Sequence, residues 1–169
     1  MEPYHVLHSA QVALLSALDG IGADHAESKH PVHGTWNLKQ LMSHLVGQEN
    51  LLGEALSAQL SAGASIPNIL KYRTETPEQF SQSSIDVRKD LHYEDILAEL
   101  NSSHDHVLKT LYLFTPQMLD RSGTLSWYAP GMSVAEYIKL AHYDHKLMHA
   151  AEIAKFKAYL SDMDHIPTK

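Results

Sequence analysis

The chain has no cysteine. That excludes disulfides, thiolate-ligated zinc and a thiol nucleophile of its own. A metal site must therefore be built from His, Asp or Glu, and any thiol chemistry needs a thiol from outside. No apolar run approaches the roughly 18 residues of a membrane span. The opening "MEPYHVLHSAQ" lacks the basic-then-apolar order of a signal peptide, so a cytoplasmic protein is expected. Basic charge is also scarce. Thirteen Lys and Arg face twenty Asp and Glu, for a net charge of -7 with neutral His. Without a dense basic patch, binding to nucleic-acid phosphates or to an anionic membrane surface is not expected. There is no internal repeat, no low-complexity tract and no sustained strand-like alternation. At 169 residues, a single domain over residues 1–169 with a proper core is expected.

What the sequence does contain is helical periodicity. Val6, Leu7, Ala10, Leu14, Ala17 and Leu18 recur at helical spacing from about Tyr4, and Gly20 and Gly22 suit a stop. A second segment follows Asn37 and Gln40, which have capping-box spacing. Leu38, Leu41, Met42, Leu45, Leu52 and Leu56 form its stripe, and it reaches about Leu60. Thr76, Pro77 and Gln79 fit the start of a short helix. The third long segment spans about Tyr93 to Phe114, with Pro116 as its stop. "LDRSGTLSWYAPG" reads as a connection, partly extended, in which Trp127 and Tyr128 pack. Ser133 and Glu136 cap the last helix, Met132 and Tyr137 have hydrophobic-staple spacing, and the helix runs to about Leu160. The expected fold is all-α: a four-helix bundle with a long connection between the second and third main helices.

Thirteen histidines equal Lys and Arg combined, so a local cluster proves little by itself. Placement on faces narrows the field. At about 100° per residue, Val134, Ile138, Ala141, His145, His149, Glu152 and Phe156 fall within an arc of roughly 80°. His145 and His149 thus share the core-facing stripe, at the i, i+4 spacing that lets two imidazoles reach one ion. His142 lies at the edge of that arc, and Asp144 points away. A third ligand must come from another helix, and His44 flanks the stripe of the second. Gln48, one turn on, follows the same edge. Glu49 points near the middle of that stripe, where a carboxylate is costly unless paired. A fourth ligand, an acceptor for a ligand imidazole, a general base and a partly solvated seam residue are its alternatives. His104 and His106 read as ordinary helix histidines. His5, His8, His25, His30, His33, His92 and His165 lie near termini or in loops and carry no argument. Three neutral imidazoles without thiolate suit Zn, Ni, Fe or Cu. Three ligands with an open position form a catalytic arrangement.

"GTWNLKQLMSHLVGQENLL" and "GMSVAEYIKLAHYDHKLMHAAEI" together resemble the DinB/YfiT-like superfamily, whose members are treated as metal-dependent enzymes. In that family a Trp-led second helix carries one His. The last helix carries a His-x-x-x-His pair, then small residues, Gln or Glu, and Ile. The matching positions here are His44, His145 and His149, followed by Glu152 and Ile153. The resemblance implies a four-helix bundle whose three histidines hold a divalent metal, usually zinc or nickel, with water in an open position. It also implies a thiol-dependent S-transferase or a related activity, and commonly a homodimer.

The residues and the resemblance give one main expectation. His44, His145 and His149 bind the metal, an external low-molecular-weight thiol or water is activated there, and a small-molecule electrophile is attacked. Glu49 is the candidate catalytic residue; Gln48 and His142 are candidates for contacting the bound cofactor. The alternatives are a non-enzymatic metal- or ligand-binding stress-response bundle, and a bundle whose histidines are merely structural.

Overall fold

The computed structural model describes residues 3–164; His165 lies outside the described residues. Its helices are α1 (Pro3–Leu18), α2 (Ala23–Ala26), α3 (Leu38–Leu60), α4 (Pro67–Tyr72), α5 (Pro77–Asp86), α6 (Tyr93–Leu111), α7 (Pro116–Leu119), α8 (Val134–Tyr137) and α9 (Asp144–Asp164). A π-helical turn, Ile138–Tyr143, joins α8 to α9 without a break. No strand occurs among the described residues beyond one isolated bridge, His33 to Trp36.

Local chemistry sets the helix starts. The three capping boxes expected from the sequence all form, at Asn37/Gln40, Thr76/Gln79 and Ser133/Glu136. Each satisfies two backbone donors that the first turn would leave orphaned. Helix α1 stops before Gly20, whose φ of +80° favours glycine. Helix α6 ends at Leu111, earlier than expected. Thr115 then caps a new short helix with Pro116 at its first position, so this proline starts an element instead of ending one. The connection after α7 is built of turns, not extended chain. Trp127 and Tyr128 do pack there, with ring centroids 6.0 and 4.6 Å from that of Tyr137.

Helix α3 packs chiefly on α6, and α1 on α9. The interior falls into two apolar clusters, and each main helix crosses both, the last one counted from α8 through the π-helical turn into α9. One holds Leu14, Leu18, Leu41, Leu45, Ile96, Leu100, Ile153 and Phe156. The other holds Leu7, Leu52, Leu56, Val107, Leu111, Val134, Tyr137 and Ile138. Residue order through the two clusters gives the helix directions. Helices α1 and α9 run one way, α3 and α6 the other. Two neighbours that run parallel cannot be joined by a short loop. The stretch 61–92, which carries α4 and α5, makes that long return between α3 and α6.

A polar layer separates the two clusters. It takes Gln11 from α1, Glu49 from α3, His104 from α6, and His142 and Lys146 from the last helix, all buried. Lys146 Nζ lies 2.6 Å from Glu49 Oε1, 2.7 Å from Gln11 Oε1 and 3.2 Å from His104 Nδ1. His104 Nδ1 is also 3.1 Å from Glu49 Oε2. Gln11 completes the chain by donating to Asn101 at 3.1 Å. Burial pushes the Glu49 carboxyl up, but the Lys146 ammonium and His104 outweigh it and hold the group at about 2. Opposite charges within hydrogen-bond distance favour the ionised form.

Candidate metal centre

His44 projects from the second turn of α3; His145 and His149 sit one turn apart on α9. His44 Nε2 lies 3.2 Å from His145 Nε2, and His145 Nε2 lies 2.8 Å from His149 Nε2. Ligand atoms of the three residues all fall within 4.8 Å of one another. Nitrogens bound tetrahedrally at 2.0–2.1 Å from one ion stand about 3.3 Å apart, so the observed spacing nearly meets that requirement. Three neutral imidazoles have few protons to share among converging Nε2 atoms, and a divalent cation satisfies the facing lone pairs together. Burial, reinforced by the neighbouring imidazoles, pushes His44 down to about 2 and His145 to about 4. Burial lowers His149 as well, against the opposing pull of Glu152. At neutral pH the three rings are therefore uncharged, as ligands must be.

The loop before α3 completes the surroundings. Backbone bonds from Trp36 N to His33 O (2.8 Å) and from Val32 N to Trp36 O (2.7 Å) close a tight turn. Gly34, at φ +54°, takes the left-handed position. The turn brings the His33 ring to 4.9 Å from His149 and the Trp36 ring to 5.3 Å from His44. Glu152 accepts from His149 Nδ1 at 2.7 Å and from His33 Nδ1 at 2.9 and 3.1 Å. Burial pushes its carboxyl up, but these hydrogen bonds hold it below the ordinary range. With the His149 proton fixed on Nδ1, the Nε2 lone pair faces the other two rings, the carboxylate–histidine arrangement common behind metal ligands. His33, His149 and Glu152 make a second group of close donors that shares His149. A cavity of about 500 Å³ opens beside His44, lined also by His33, Trp36, Pro77, Glu78 and Ser81.

Neither Glu49 nor His142 joins the group of converging ligand atoms. Glu49 is fully enclosed and engaged by Lys146 and His104. Gln48 is half-buried on α3. His142 is 1% exposed and packs edge-on against Tyr137 at 4.9 Å, with burial pushing it down to about 3. Its depth differs from the edge position that a uniform helical wheel gives, and Ala141, placed on the stripe by that wheel, is only half-buried. The π-helical turn explains both. Its i→i+5 geometry changes the rotation per residue, so positions after Ile138 drift from a 100° count. The same drift turns Lys146 inward, which periodicity did not reveal. His33 was also missed, because a loop has no face to count. The signal available was "HGTW" just ahead of the Asn37 cap, a glycine turn too short to carry its flanking aromatics far from α3.

Residues 7–153 match the DinB superfamily model. No curated protein matches the chain. Among solved structures, an uncharacterised protein from Escherichia coli UTI89 superposes with a TM-score of 0.79 at 16% identity, covering 94% of this chain and 92% of that one. A chain described as the sibling lethal factor precursor DfsB gives 0.80 at 16%, covering 94% and 95%. The colibactin self-resistance protein ClbS, solved in complex with a dsDNA, gives 0.75 at 15%, covering 92% and 93%. At such identities these structures speak to the fold alone, which is the all-helical bundle described above. The family match spans most of the chain, including the His44 helix and the His145/His149 pair, and the protein belongs to the DinB superfamily.

Proposed function

We propose that His44, His145 and His149 hold one divalent metal ion, zinc or nickel, and that the protein is a metal-dependent enzyme joining a low-molecular-weight thiol, or water, to a small electrophile. The observation that carries this reading is the convergence of three neutral imidazole Nε2 atoms from two helices, with Glu152 fixing the tautomer of one. A divalent ion in such a set supplies Lewis acidity, which lowers the pKa of a thiol or water and polarises an electrophile.

The chain's own residues do the rest. The His33–Trp36 turn walls one side of the centre and limits water. Glu152 orients His149 and, through His33, anchors the turn to α9. Glu49 acts in this proposal as a positioning carboxylate: with Lys146 it pins α9 against α3, so that His145 and His149 face His44. Gln48 and His142 take no part in holding the ion in this proposal. A cytoplasmic location, a homodimeric assembly and the absence of nucleic-acid partners belong to the same proposal. Among the described residues no helix is long and apolar enough to cross a membrane.

The test is thiol transfer to a generic electrophile by zinc- or nickel-loaded protein, comparing wild type with His145→Ala. A rate that collapses in the variant supports the proposal. Equal rates would reject metal-dependent thiol catalysis on that electrophile and favour a binding role without turnover.

A further inference from the structure

The cavity beside His44 has a chemistry that narrows the substrate. Its volume of about 500 Å³ accommodates a small molecule. One wall is the Trp36 indole, itself packed on the His44 ring. The N-terminal part of α5 also lines the cavity, through Pro77, Glu78 and Ser81. Apart from an ion held at His44, the charge on the lining is one-sided: Glu78 brings a carboxylate, and neither Lys nor Arg lines the cavity. The α5 backbone and Thr76 hold the Glu78 carboxyl below the ordinary range, so it is ionised at neutral pH. Ser81 cannot offset it, since its hydroxyl already donates to Pro77 O at 2.8 Å. The chain as a whole carries -7, so the wider field has the same sign.

An ion at the imidazoles would draw in the sulfur of any thiol, but an anionic group at the Glu78 end would meet the carboxylate with no Lys or Arg beside it. A cationic group there meets the carboxylate, and the same cavity is lined by an indole, whose ring quadrupole attracts cations. We propose that this cavity is the recognition subsite for the organic part of the substrate, and that it selects molecules bearing an ammonium group, aminothiols above all. The inference rests on the metal-dependent thiol reading given above, which alone places a thiol at the neighbouring imidazoles. It adds which thiols bind well: Trp36 packs on the carbon chain, Glu78 faces the ammonium, and the sulfur end is left toward His44.

The test uses full-length cobalt(II)-loaded protein and reads thiol binding from the thiolate-to-cobalt absorption band. Cysteamine, 2-mercaptoethanol and mercaptoacetate are titrated, carrying one positive, no and one negative charge away from the sulfur. Their thiols differ in acidity, so the informative quantity is the affinity ratio between two thiols compared across protein variants, from which intrinsic acidity cancels. Two unit charges about 6 Å apart in water interact by roughly a factor of three in affinity. The cysteamine-to-mercaptoethanol ratio should therefore fall about threefold in Glu78→Gln and about tenfold in Glu78→Lys, while the mercaptoacetate-to-mercaptoethanol ratio rises by similar factors. High salt should shrink both effects. Glu78 is exposed, so neither variant threatens the core. Ratios unchanged across the three proteins, with thiols still binding cobalt, overturn this inference and leave the metal-dependent reading standing. Failure to take up cobalt, or uptake with no thiol band for any probe, overturns both.

Discussion

Lys146→Met removes the cation from the polar layer and leaves Glu49 and His104 enclosed without it. Lys146 is 2% exposed and Glu49 0%, so no water can take over the lost contacts without opening the bundle. Breaking a buried pair by deleting one partner costs about 3–5 kcal/mol, mostly because the other charge is stranded. Here the carboxyl itself gives a second measure. Moving it from its ordinary 4.5 down to about 2 ties on the order of 3 kcal/mol of stability to its ionised form. A folded-state value below the unfolded one means that this contribution is fully present above about pH 4.5 and is lost as pH falls toward 2. Urea unfolding followed by circular dichroism should show Lys146→Met losing about 3–5 kcal/mol at pH 7, a large part of a typical domain's 5–15 kcal/mol. Glu49→Gln should lose less, since its amide oxygen can still accept from Lys146 Nζ, whereas methionine leaves the Glu49 carboxylate without that donor. The double variant should fall short of the sum by about 2 kcal/mol or more, because each change removes the other's penalty. Between pH 5 and 2.5 wild type should lose more stability than Glu49→Gln. A loss below about 1 kcal/mol in Lys146→Met, or parallel acid profiles for wild type and Glu49→Gln, would refute the assignment of this layer as an ionised, mutually dependent unit.

Three further outcomes follow from particular contacts. A Cβ added at Gly47 would stand 2.7 Å from Ser84 Cβ, where α3 meets α5, so Gly47→Ala should cost about 1–3 kcal/mol in chemical denaturation, and Ser84→Gly added to it should recover most of the loss. Glu152→Ala frees the His149 tautomer and should weaken zinc binding about 10–100-fold in competition with a chromophoric chelator; unchanged affinity would remove Glu152 from the centre. ClbS was solved with dsDNA, yet this chain carries -7 and shows no basic patch in its sequence, so a gel-shift titration at 150 mM salt should show no duplex binding at micromolar protein; a discrete shifted complex would contradict the charge argument.

The helices were legible because their signals are local. Capping boxes at Asn37, Thr76 and Ser133, and leucine stripes on α3, depend on residues within one or two turns of each other. The long return between α3 and α6 was legible for the same reason: "SAGASIP" breaks the pattern and Tyr93 resumes it. The His44, His145 and His149 set emerged from spacing on two stripes, helped by the family resemblance. Three things were not legible, each for a physical reason. The π-helical turn leaves no compositional mark, so a uniform rotation misplaced His142 and Ala141 and gave no hint that Lys146 is interior. A lysine is the residue least expected in a core, and only a partner from another helix, Glu49, makes it tolerable. His33 depends on a turn closed by the backbone of Trp36 and on a carboxylate 119 residues away, and no periodic count reaches a loop.

If His44, His145 and His149 form one metal centre, elemental analysis of the untagged protein reads it as a metal stoichiometry. Wild type, as purified or after adding zinc or nickel and removing the excess, should carry about one equivalent. His44→Ala, which breaks the set from the opposite helix, should carry less than about a tenth. Wild type retaining less than about a tenth of an equivalent under both conditions would mean that the three imidazoles hold no metal.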